Sequence, residues 1–75
     1  MKENLNKETK LILTFIKNNQ DFVYTINRLR ETYSNQRDFT NQLLYAIMDV
    51  LNREKQFTHI DRKNIDIIAI SNTLF

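Results

Sequence analysis

An all-α fold, a compact bundle of three to four short helices, is what this sequence predicts, and three observations predict it. Apolar residues recur three and four positions apart in successive segments, the spacing that lines one face of an α-helix. Gly and Pro are both absent from the 75 residues, so tight hairpin turns and glycine-rich phosphate loops lack the residues that build them. Asn, Thr and Asp stand ahead of the periodic segments, where a helix needs side-chain oxygens for its free amides.

The first helix is expected over residues 6–18. Leu5, Leu11, Ile12, Phe15 and Ile16 fall on one face, with Lys7, Lys10, Thr14 and Lys17 opposite. Asn6 is the expected N-cap, and Asn18-Asn19-Gln20 is the expected stop. The second helix is expected from Asp21, its cap, to residue 32 or 33. Phe22, Ile26, Leu29 and Tyr33 form its apolar stripe, and Tyr24, Arg28 and Glu31 face away from it.

The third helix is expected from residue 41 to 55 or 56, capped by Thr40, with Phe39 and Leu44 as a hydrophobic staple across its start. Leu43, Leu44, Ala46, Ile47, Met48, Val50 and Leu51 cover about half of its circumference. A face that wide packs against two neighbours, so this helix is the expected spine of the fold or a dimer interface. The fourth helix is expected to start at Thr58, which forms a shortened capping box with Asp61, and to share Ile60, Ile67, Ile68 and Leu74 on one face. Residues 65–70 are rich in β-branched side chains and also fit a short strand. The helix is preferred because no second strand-like segment is there to pair with them.

Composition bounds the function. One domain is expected over residues 1–75, and a core this small supplies only a few kcal/mol of net stability. With no Cys and a single His, His59, neither disulfides nor a thiolate or His-rich metal site reinforces it. Helix packing and oligomerisation remain, so stability favours a homodimer. Residues 1–10 are polar and unlike a signal peptide, and the apolar run at residues 67–70 is too short to cross a bilayer. A cytoplasmic protein is expected, in the host cytoplasm if a phage or virus encodes it. The abundance of Asn, Ile, Lys, Phe and Tyr matches AT-rich codons, the signature of a low-GC bacterium, its phage or plasmid, or a virus.

Four kinds of activity can be weighed against these residues. For catalysis, the acids are scattered beside bases, Asp61 and Asp66 do not share a helical face, and Ser34 and Ser71 have no neighbouring His. No enzyme activity and no cofactor or metal is expected. For nucleic acid, Arg28, Arg30, Arg37, Arg62 and Lys63 are candidate phosphate contacts, with Asn35 and Gln36 of the type that reads base edges. A net charge of +2 is a weak footprint for that role. The plain alternative is that these bases are solvated and paired with Glu31, Asp38, Glu54 and Asp61.

For a protein partner, Tyr24, Arg28 and Glu31 on one face and Tyr45, Asp49 and Asn52 on another are the candidate contacts. Phe57 and Phe75 add aromatic surface at a connection and at the C-terminus, unless they close the core. For a membrane surface, Lys7, Lys10 and Lys17 opposite an apolar stripe are the pattern of an interfacial helix, but also of any surface helix of a bundle. By elimination, the sequence points to a small protein-binding regulator or inhibitor from a phage, plasmid or other mobile element, acting on a host protein. A small helical DNA-binding or transcription-modulating protein is the alternative.

Overall fold

Each α-helix among the described residues begins at an Asn or Asp whose side-chain oxygen takes up free amides of the first turn, and these residues set the architecture. The computed structural model describes residues 5–75, which form four α-helices and two single 3₁₀ turns, with no strand among them. The helices are α1 (Lys7–Asn18), α2 (Gln20–Thr32), α3 (Gln36–Arg53) and α4 (Ile67–Leu74), and the 3₁₀ turns are Lys55–Phe57 and Arg62–Asn64.

The Asn6 cap stands where the sequence places it: Oδ1 accepts from the Thr9 amide at 2.8 Å. Three other starts differ from expectation. Asn19, not Asp21, caps α2, accepting from the Phe22 amide at 3.0 Å. Asn19 also ends α1, so one extended residue both closes one helix and opens the next. Asp21 then lies in the first turn, where its charge complements the amide end of the helix dipole.

Thr40 does not cap α3. Asn35 does, accepting from the Arg37 amide at 2.8 Å and the Asp38 amide at 3.2 Å. Thr40 sits one turn inside the helix, and its hydroxyl donates back to the Gln36 carbonyl at 2.8 Å. No staple forms, because Phe39 is fully buried within the helix and Leu44 is 41% exposed. The start lies earlier because Phe39, Leu43 and Ile47 make one continuous buried row at i, i+4 and i+8. Asn35→Ala is expected to cost about 1 kcal/mol, read as a fall in the midpoint of thermal unfolding; an unchanged midpoint would remove Asn35 from the cap.

The last third departs most. Thr58 starts no helix: its hydroxyl donates to the Lys55 carbonyl, and Asp61 caps the second 3₁₀ turn through the Lys63 amide at 3.0 Å. Asp66 caps α4 by accepting from the Ala69 amide at 3.0 Å. Residues 67–74 are therefore helix, not strand. Ile68 is exposed rather than on the apolar face, whereas Ile70 and Ala69 are buried and Ile60, Ile67 and Leu74 pack at the edge of the core.

α3 is the spine, touching α2, α4 and the first 3₁₀ turn, while α1 closes the bundle against α2 and α4. The chain returns along α3. Arg62 reaches Asn52 near the C-terminal end of α3, and Ser71 and Asn72 reach Thr40 and Gln36 near its N-terminal end. At the latter end, Thr40 spends its single proton on the Gln36 carbonyl, so the Ser71 hydroxyl donates to Thr40 Oγ1 at 2.5 Å and itself accepts from Gln36 Nε2 at 3.4 Å. This closed set lets the fully buried Ser71 face α3 without an orphaned group.

On α1, Leu11 lies outside the core at 46% exposure, contrary to its expected place on the apolar face, and Leu13 and Thr9 are buried instead. Residue 11 stands nearly opposite residues 9 and 16 on a helical wheel. Phe57 is buried, its ring edge-on to Phe15 at 5.2 Å, so the aromatic at the connection closes the core. Phe75 lies against Phe39 at 5.0 Å but remains partly exposed.

Candidate functional site

The side chains that α2 and α3 turn away from the core follow directly from helical periodicity. With Phe22 and Ile26 buried, Tyr24, Arg28 and Glu31 emerge on the opposite side of α2. Tyr24 is 62% exposed, and Arg28, one turn later, holds it twice. The guanidinium carbon stands 5.8 Å from the ring centroid, and Nη1 donates to the phenol oxygen at 3.4 Å. Such a cation–π contact at an exposed site is worth about 0.5–1 kcal/mol. Its effect here is to restrict the ring.

Tyr45 is 69% exposed on the outward side of α3. Asp49, one turn on, pairs with Arg53 at 3.1 Å, the one ion pair among the described residues. The acids expected to neutralise the other bases, Glu31, Asp38, Glu54 and Asp61, make no ion pair among these residues. Asn52 is engaged by the Arg62 guanidinium, which ties the second 3₁₀ turn to the end of α3. The tyrosine groups of α2 and α3 thus form two separate outward faces, and no hydrogen bond or ion pair links them among the described residues.

The five bases considered as phosphate contacts point in different directions. Arg28 is stacked on Tyr24. Arg30 donates to the Leu74 carbonyl at 3.2 Å and to Asn27, which turns it toward the end of α4. Arg37 lies at the start of α3, and Arg62 is bound at its other end, roughly 22 Å away by helical rise. Lys63 is exposed beside Arg62. Arg28 and Arg30 share α2, Arg62 and Lys63 share a turn, and the structure does not gather all five into one patch.

Among the described residues no three His, Cys, Asp or Glu side chains stand close enough together to hold a metal ion. Every buried side-chain nitrogen and oxygen among them has a hydrogen-bond partner. No helix among them is long and apolar enough to cross a membrane. Compared with protein families, with curated proteins and with solved structures, the chain matches none of them.

Sequence reasoning missed one surface. Leu11, expected inside, stands outside on α1 between Lys7 and Phe15, beside Phe57 of the first 3₁₀ turn, and these residues line an open groove. The groove has no local signature in the sequence, because Phe57 lies 42 residues beyond Phe15.

Proposed function

We propose that this protein is a small non-catalytic regulator or inhibitor that occupies a surface on another protein, with Tyr24, Arg28 and Glu31 on one contact face and Tyr45, Asp49 and Asn52 on the other. The observation that carries this reading is the pair of outward tyrosines, with Tyr24 already held by Arg28. Tyr and Arg are the side chains that anchor protein interfaces, since each combines a large contact area with a polar tip. Exposing them on regular helices costs no backbone strain, because no described residue has positive φ. The setting we propose is a mobile element or phage of an AT-rich genome, with a host protein as target and the cytoplasm as the place of action.

The test is capture by the tagged chain from a lysate of its source cell, with one half treated with nuclease, followed by binding assays on the purified target. A single protein retained in both halves, whose affinity falls about tenfold or more in Tyr24→Ala or Tyr45→Ala while the melting curve is unchanged, is the expected result. Binding untouched by both substitutions would overturn the assignment of the faces. Captured material that disappears with nuclease, with an affinity that drops steeply as salt rises, would replace it with DNA binding through Arg28, Arg30, Arg37, Arg62 and Lys63.

A further inference from the structure

An open groove runs along the outer side of α1. Its volume is about 640 Å³, and its apolar lining is Leu11, Phe15 and Phe57. Phe57 meets Phe15 edge-on at 84°. The charged side chains that line the groove are of one sign. Lys7 and Lys10 line one end, the amides of Asn18 and Gln56 line the other, and no carboxylate lines it among the described residues. From Lys7 to Asn18 the groove follows α1 for roughly 16 Å, the length of a three-turn helix.

We infer that this groove binds an acidic amphipathic helix of a partner protein, about three turns long, which sets two or three bulky apolar side chains on Leu11, Phe15 and Phe57 and carboxylates on Lys7 and Lys10. The occupant is a helix because the groove runs along three turns of α1 past Leu11, Phe15 and Phe57, a spacing that takes side chains at i, i+3, i+4 and i+7. It is acidic because the two lysines attract carboxylates and repel a basic segment as it approaches. The inference rests on the protein-binding reading for the class of ligand. It uses a surface on α1 that contains none of the tyrosine-face residues, so the two are separable by mutation.

The experiment is fluorescence anisotropy on the full chain with two labelled, end-capped peptides of about fourteen residues. Both carry Leu and Phe at i, i+3, i+4 and i+7, one with Glu and the other with Lys at the flanking positions. Saturable binding of the acidic peptide is expected, about tenfold or more tighter than the basic one and weakening as salt rises. Leu11→Glu, at a half-exposed position and with an unchanged melting curve as the control for folding, is expected to abolish binding, and Lys7→Glu with Lys10→Glu to reverse the preference. Tyr24→Ala is expected to leave both unchanged. No binding of the acidic peptide, equal affinity for the two, or affinity insensitive to Leu11→Glu would overturn the inference. Sedimentation showing a dimer that Leu11→Glu dissociates would also overturn it, giving the groove to a second copy of the chain. Loss of peptide binding in Tyr24→Ala with the groove variants silent would shift the site to the tyrosine face.

Discussion

Phe39→Ala is expected to remove most of the stability of this chain. Phe39 is the largest fully buried side chain, at 0% exposure, and its ring lies 5.0 Å from that of Phe75. Truncating a buried Phe costs about 3–5 kcal/mol through lost transfer energy and the cavity left behind. A domain of this length has roughly 4–11 kcal/mol in total at the usual value per residue, so little is left to keep the transition cooperative. Thermal unfolding followed by far-UV circular dichroism should show a midpoint lower by about 15 °C or more, or no sigmoidal transition at all. Phe39→Leu keeps most of the volume and is expected to retain a cooperative melt. The result also decides where α3 begins. A helix starting at Thr40 would leave Phe39 as a half-covered staple, and its truncation would then cost only about 1 kcal/mol.

The second large effect is expected from a change that removes no volume. Thr9 is a polar residue at 0% exposure on the inner side of α1. Its Oγ1 accepts from the Asp66 amide at 2.9 Å and lies 3.4 Å from the Asn64 carbonyl, to which its proton points. The Asn64 carbonyl also receives the Asn6 side-chain amide. Asn6 therefore caps α1 with one atom and joins Thr9 in holding the segment ahead of α4 with the other. Thr9→Val keeps the shape and deletes the hydroxyl, leaving the Asp66 amide without a partner, at a cost of about 1–3 kcal/mol. A midpoint lower by about 5–15 °C is expected. Hydrogen exchange at the Asp66 amide should accelerate in Thr9→Val and stay slow in Thr9→Ser, which retains the hydroxyl. A protected Asp66 amide and an unchanged midpoint in Thr9→Val would show that the clasp contributes nothing.

The two variants report on different levels of organisation, and the same division runs through what could be read from the residues. Asn6 is legible because a cap and the amide it serves lie three residues apart. The stripe of Phe22 and Ile26, with Tyr24, Arg28 and Glu31 opposite, is legible because one helix has one period. Asn35 and Thr40 compete locally, since each is a good cap ahead of an apolar run, Asn the stronger of the two. The competition is settled by Phe39, which gains a buried site only if α3 starts at Gln36. The same holds for Asp66 against Thr58. Thr58 has the stronger local signature, but Asp66 has its own amide tied to Thr9, 57 residues away.

The candidate surfaces divide in the same way. The tyrosine faces were visible because being outward needs only the helix itself. The groove was not, because Phe57 and Phe15 belong to different segments and Leu11 counts as apolar wherever it stands. By itself the sequence determined the all-helical class, the wide apolar face of α3 and the outward tyrosines, because those follow from periodicity and from interactions within a few residues. Only the tertiary structure decided where α3 and α4 begin, that Thr9 and Ser71 are buried, and that Leu11 faces solvent, because each depends on which distant backbone or side chain satisfies a hydrogen bond or fills a volume.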